Sequence, residues 1–195
     1  MTDDRDWERN LNSIDYPSRV RMETLRGDIW LLATTADAIV IPTNVGWTNA
    51  GRNVMGRGLA KQAKARYPGL AEWYGAQCMQ HQSATPTMLY ESPDSSKPSL
   101  FLFPTKHLNT DAPHRSWQGR SDLYRIHWSM QRLKELVRDD FAFSGAYSTR
   151  GAYASRFDHV LVPLVGCGNG GLDEALVMPI LEMFWDHKMR LVRFQ

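Results

Sequence analysis

Apolar positions along this chain recur with two periods. Short runs rich in apolar and β-branched residues, bounded by Gly, Pro or polar residues, predict strands at 22–26, 38–44, 87–90, 100–103 and 159–165, with a last short one at 191–194. Helical spacing governs other stretches. It predicts helices at 59–67 and 70–80, separated by Pro68-Gly69. Leu123, Ile126, Met130, Leu133 and Val137 form an apolar stripe, so 121–138 reads as an amphipathic helix with Ser121 as its N-cap. Leu176, Val177, Ile180, Leu181 and Phe184 mark a last helix. Strands and helices alternate, which predicts an α/β fold in three layers, helices covering both faces of a central mixed sheet. Ligand sites in such sheets lie beyond the carboxyl ends of the strands.

Glycine gathers at two of those ends. The strand at 159–165 runs into Gly166-Cys167-Gly168-Asn169-Gly170-Gly171 and then a helix. The strand at 38–44 runs into Gly46, Gly51, Gly56 and Gly58, and then another helix. A strand, a glycine-dense turn and a helix N-terminus expose backbone N–H groups that suit a phosphate, and the alternative is a plain tight turn. Two such units would close on the two ends of a diphosphate. Neither loop is G-x-x-x-x-G-K-[ST], and no G-x-G-x-x-G follows the first strand, which disfavours a P-loop nucleotidase and an ordinary dinucleotide fold.

Composition narrows the picture further. The 195 residues suffice for one domain with a real core, 22–195, preceded by a polar arm at 1–21. Residues 144–156 read as an inserted loop. No apolar run approaches the roughly 18 residues of a membrane span. The N-terminus is no secretory signal, and two cysteines, Cys78 and Cys167, fit a reducing cytoplasm. No Cys or His spacing suggests zinc, and neither a metal nor a cofactor is expected. A net charge of +2 neither requires a nucleic-acid partner nor excludes one.

Five motifs in order resemble the macrodomain family, which binds ADP-ribose. They are Gly27-Asp28-Ile29, Pro42-Thr43-Asn44, Val54-Met55-Gly56-Arg57-Gly58-Leu59-Ala60, Phe103-Pro104-Thr105-Lys106 and Val165-Gly166-Cys167-Gly168-Asn169-Gly170-Gly171. They are most similar to the DarG-type macrodomains, which remove ADP-ribose from DNA or protein. The resemblance implies a set of roles. Asp28 would accept from the adenine amino group, or else be a turn aspartate, with Ile29 packed near the base. Asn44 would contact the distal ribose, or else be a strand-end turn residue. Val54, Met55, Gly56, Gly58 and Leu59 would wrap that ribose and one phosphate. Gly166, Cys167, Gly168, Asn169, Gly170 and Gly171 would hold the diphosphate, so a side chain at Gly170 would project onto it. Cys167 packs rather than acts as nucleophile.

Lys106 would act at C1″ of the distal ribose, as an attacking amine or as a charged stabiliser, against the ordinary fate of a solvated lysine. Asn44 would act with it. Some lysine-type members carry an aspartate in the second loop; here Asn169-Gly170-Gly171 stands there and Asp173 comes later. DarG-like chains also reach a Trp-basic-Gly-basic-Ser segment directly, whereas here 107–116 intervenes. Arg115, Trp117 and Arg120, with His114 and Arg125, are candidate contacts to a nucleic acid, or else a solvated loop. The implied function is hydrolysis of an ADP-ribosyl bond on DNA or protein, with ADP-ribose as ligand and product. The alternatives are a non-catalytic ADP-ribose reader and an ADP-ribose 1″-phosphate phosphatase. Oligomeric state, acceptor and pathway stay open.

Overall fold

The computed structural model describes residues 20–138 and 157–194. Nearly all of the expected arm and the loop at 144–156 lie outside the described residues. The strands are β1 (Glu23–Arg26), β2 (Ala38–Asn44), β3 (Met88–Tyr90), β4 (Ser99–Lys106), β5 (Val160–Pro163) and β6 (Met189–Arg193). They form one mixed six-stranded sheet in the order β1-β6-β5-β2-β4-β3, parallel except for β3 against β4.

Period-two alternation in β2 and β4 sorts the core into two faces, as a sheet covered on both sides requires. Ala38, Val40, Phe101 and Phe103 face α4 (Leu123–Arg138) and α5 (Glu174–Phe184), whose Ile126, Met130, Leu133, Val177 and Leu181 bury against them. Ile39, Ile41, Leu100 and Leu102 face the other way. There they meet α1 (Ile29–Leu32), α2 (Gly58–Arg66) and α3 (Leu70–His81), through Ile29, Ala63, Leu70 and Tyr74. The three-layer α/β/α expectation holds.

Two differences from the sequence reading have clear causes. β4 continues past Phe103 to Lys106, because β2 pairs with it from Ala38–Ser99 to Asn44–Lys106. Pro104 reads as a breaker, yet β3 pairing has already ended at Leu102, so no ladder donor is lost on that side. The N-cap of α4 is Asp122, not Ser121. The Asp122 carboxylate accepts the Arg125 N–H at 2.8 Å, and its carbonyl accepts the Ile126 N–H at 3.0 Å. Ser121 is buried with an unpartnered hydroxyl, its own N–H going to the Gly170 carbonyl at 3.0 Å. The one-turn helix α1 is too short to show a period in the sequence.

β2 and β5 pair only at Ala38–Val160 and Ile39–Leu161. Beyond that point the two strands separate, and the loops that follow β2, β4 and β5 share the opening.

The cap assignment makes a test. Asp122→Ala should lower stability by about 1 kcal/mol, the usual cost of a lost N-cap. Ser121→Ala should be neutral or slightly stabilising, since it removes a buried hydroxyl that has no partner. Urea denaturation of both variants checks this; the opposite order would restore Ser121 as the cap.

Candidate functional site

The first loop hangs on two buried asparagines. Asn44, 7% exposed at the end of β2, donates through Nδ2 to the Val54 carbonyl at 3.0 Å. Asn53, 3% exposed, donates to the carbonyls of Asn44 at 3.1 Å and Gly46 at 2.7 Å, while its N–H bonds the Ala71 carbonyl at 2.7 Å. Helix α3 comes against this loop at Gly75. A Cβ there would stand 2.1 Å from the Gly51 carbonyl oxygen and 2.6 Å from the Asn53 nitrogen. Met55 is buried in the core, so its side chain is no ligand contact and only its backbone can face the opening. Gly56 and Gly58 are exposed, and Val54 and Leu59 half-buried. Helix α2 begins at Gly58 with no side chain capping it. Its first-turn amides are thus available to an anion, and the helix dipole favours one.

The second loop follows β5. Asn169 and Gly168 are exposed, and Gly166 and Gly170 are buried. Gly166 takes φ +78°, and the Gly171 N–H closes onto the Gly168 carbonyl at 3.1 Å. The helix after this loop is not an open anion site: Asp173 caps α5 by accepting the Ala175 N–H at 2.9 Å. Any phosphate there meets loop amides rather than a bare helix end. The expected outward direction of Gly170 is also corrected. A Cβ at Gly170 would meet Ser121 Oγ at 2.2 Å and the Gly166 carbonyl at 2.3 Å, against the residue before the N-cap of α4 rather than in the opening. Cys167 is half-buried; burial first, then the carboxylates of Glu174 and Asp173, push its thiol pKa up, against a nucleophilic thiolate.

The two loops touch. A Cβ at Gly58 would stand 2.8 Å from Asn169 Nδ2. Lys106 lies beside them, in register with Asn44 across the β2–β4 ladder. Its Nζ donates to the Trp117 carbonyl at 3.1 Å and the Asn169 carbonyl at 3.4 Å. Partial burial lowers its pKa below that of an ordinary lysine. The expected cluster of Lys106, Asn44 and both glycine loops therefore forms.

The segment after β4 is folded rather than solvated. Pro113–Gln118 forms a 3-10 turn seated on Gly46, where a Cβ would meet the Pro113 carbonyl at 2.5 Å and Ser116 at 2.8 Å. Trp117 is 38% exposed, and the Arg57 guanidinium lies 6.0 Å from its ring centroid. Arg120 donates from Nε to the Gly171 carbonyl at 3.0 Å, and Arg115 is exposed. Arg125 does not belong with them. It is 4% exposed and bonded to the carbonyls of Ser83 and Thr85, so it is no loop cation. Asp28 is exposed and caps α1 by accepting the Trp30 N–H at 2.8 Å. Ile29 is 4% exposed within the core and offers a ligand little surface. The Trp30 indole donates to Gln62 of α2 at 2.5 Å, tying α1 to the helix of the first loop.

Sequence reasoning missed Asn53, Gly75 and Arg57 as organisers of the first loop. A glycine inside the α3 pattern was the available signal for Gly75. Among the described residues, no cluster of His, Cys, Asp and Glu is placed to hold a metal, and no helix is long and apolar enough to cross a membrane.

No protein-family model and no curated protein matches the sequence. Solved structures do match the fold. The macrodomain of Mycobacterium tuberculosis DarG is similar at 24% identity and a TM-score of 0.63, over 88% of this chain and 97% of that one. The macrodomain of Thermus aquaticus DarG gives 22% and 0.63 over the same shares. Thermosipho africanus DarTG in complex with ADP-ribose gives 18% and 0.62, over 90% of this chain and 42% of that longer one. The chain has the macrodomain fold.

The glycine geometry is testable by stability alone. Gly170→Ala should cost about 1–3 kcal/mol, because its Cβ has no room without a shift of Ser121 or the loop. Gly168→Ala should stay within about 0.5 kcal/mol of the parent, since nothing lies within 4 Å of its Cβ. Thermal and urea unfolding check the pair, and equal stability of the two variants would contradict the close approach at Gly170.

Proposed function

We propose that the opening between the two glycine loops binds ADP-ribose and that Lys106 promotes cleavage of an ADP-ribosyl bond there. The observation that carries this is the position of Lys106 Nζ, held between the Trp117 and Asn169 carbonyls where both loops meet. The uncapped start of α2, the loop amides around Gly168 and the cations Arg57 and Arg120 supply complementary charge for a diphosphate. The exposed Asp28 carboxylate, one oxygen of which caps α1, is the acceptor we assign to an adenine amino group. Similarity in fold to a DarTG structure solved with ADP-ribose supports the same ligand class.

Two carbonyl acceptors favour the ammonium form of Lys106, so we assign it the charged role. As the C1″–acceptor bond breaks, the leaving atom takes the electron pair and a proton from Lys106, and water supplies the hydroxyl at C1″ and returns a proton. Asn44 holds the Val54 carbonyl, and so sets the first loop against the distal ribose. Trp117, exposed next to Lys106, and Arg115 and Arg120 favour a nucleic-acid acceptor over a protein one. One feature favours a reader instead: Asn169 stands where some family members carry an aspartate, and Asp173 is spent on capping α5.

The test uses three substrates in parallel: ADP-ribosylated DNA, ADP-ribosylated protein and ADP-ribose 1″-phosphate. Turnover is expected on modified DNA. Lys106→Ala should lower it by at least about a hundredfold, the lower range for a positioned proton donor, with ADP-ribose affinity within severalfold. Lys106→Arg should not restore the rate, because a guanidinium keeps its proton and cannot hand it to the leaving atom. Rate should fall as pH rises through the lowered lysine pKa, since the acting form is the charged one; a rise with pH would mark an attacking amine. Binding without turnover on any substrate would leave the reader.

A further inference from the structure

Away from the two glycine loops, a cavity of about 370 Å³ opens between the segment at Thr85 and Pro86 and helix α4. That volume falls within the range of small-ligand sites. Arg125 lines it and is 4% exposed. Its guanidinium bonds the carbonyls of Ser83 and Thr85, and its Nε is buried with no partner. Glu135, the one carboxylate of the wall, is already paired with Arg132 at 2.9 Å. Asp122 acts on Arg125 through space but is engaged by the α4 amide and by His107 at 3.2 Å. The wall therefore carries a buried positive charge with no paired anion among the described residues. Burying an ion without a counter-charge is costly, so the cavity favours an anionic ligand.

The rest of the wall sets the ligand's other half. Trp128 lines the cavity yet is 49% exposed, and Pro86 adds apolar surface. Tyr124, 66% exposed, has its ring 6.4 Å from that of Trp128 and extends the aromatic surface outward along α4. Gln131 contributes an amide, which both donates and accepts. An exposed indole takes a flat ring by stacking, and an amide reads a ring edge. A guanidinium suits a phosphate.

We propose that this cavity is a second binding site that takes one unpaired nucleotide, its base stacked on Trp128 and its phosphate turned toward Arg125. An unpaired base is required because a stacked, paired one could not present its face to the indole. Tyr124 then offers a platform to the neighbouring base of a strand. The site is independent of the ADP-ribose reading, since none of its residues lines the cleft.

The experiment is fluorescence anisotropy of a labelled single-stranded oligothymidylate with the intact protein at low salt. The wild type should bind, and Trp128→Ala should weaken binding between about fivefold and a hundredfold, as for loss of one stacked base. Trp128→Phe should restore most of it. ADP-ribose affinity should be the same in all three proteins, so a failure of the cleft and a failure of this site are told apart. Thymidine monophosphate competing for the same site would show that a free nucleotide suffices; strand binding without such competition would assign the site to a strand. The proposal is overturned if the strand does not bind, if Trp128→Ala binds as tightly as the wild type, or if a proline-rich peptide and not the strand needs Trp128.

Discussion

The separation of β2 from β5 after two registered pairs is the constraint on which the site depends. A continuous ladder between them would seal the sheet. Instead Pro42 and Pro163, which carry no N–H, fall where that pairing has already stopped. On its other side β2 stays paired to β4 as far as Asn44–Lys106. One side of β2 is thus open and the other closed, which puts Asn44 and Lys106 together at the edge of a crevice. The loops after β2 and β5 then face each other across it, at the kind of position where α/β sheets hold ligands.

Close backbone approach turns that crevice into a shaped site. Helix α3 meets the first loop at Gly75, the 3-10 turn sits on Gly46, and Ser121 sits on Gly170. At each point a Cβ would stand under 3 Å from other atoms, so the loops are fixed by what the glycines lack. Asn53 adds polar fixing, with its amide on two carbonyls and its N–H on Ala71. Lys106 draws on both arrangements, since its acceptors belong to the 3-10 turn and to the second loop. Buried side-chain contacts also tie β2 and the first loop to α3. Thr43 donates to the Tyr74 hydroxyl at 2.9 Å, and Asn53 reaches the Cys78 sulfur at 3.7 Å. Burial, largest among several causes, pushes the Cys78 and Tyr74 pKa values up, which keeps both neutral.

Much of this was legible in the chain. The apolar run at Ala38–Asn44 and the stripe on α4 are local patterns that tertiary context reinforces, so both elements appear where expected. The glycine loops announce themselves by composition. What the sequence withholds is direction and partner. Ser121 and Asp122 are both good N-caps, and only the reach of a side chain to the Arg125 amide separates them. Gly170 reads as a phosphate contact until the approach of Ser121 shows its Cα facing inward. Arg125 reads as one more loop cation, because burial of a guanidinium on carbonyls of a segment 40 residues away leaves no mark in local pattern. Met55 and Ile29 are apolar whether they face a ligand or a core.

The central claim is that the two loops converge on one diphosphate ligand. Amide chemical shifts of the labelled protein titrated with ADP-ribose test it most directly. Saturable changes at micromolar ligand are expected at Gly56, Gly58 and Leu59 in the first loop and at Gly168 and Asn169 in the second, together with Lys106, and AMP should leave the second set largely unmoved. Shifts confined to one loop, or equal weak responses to ADP-ribose and AMP at millimolar concentration, would contradict the account.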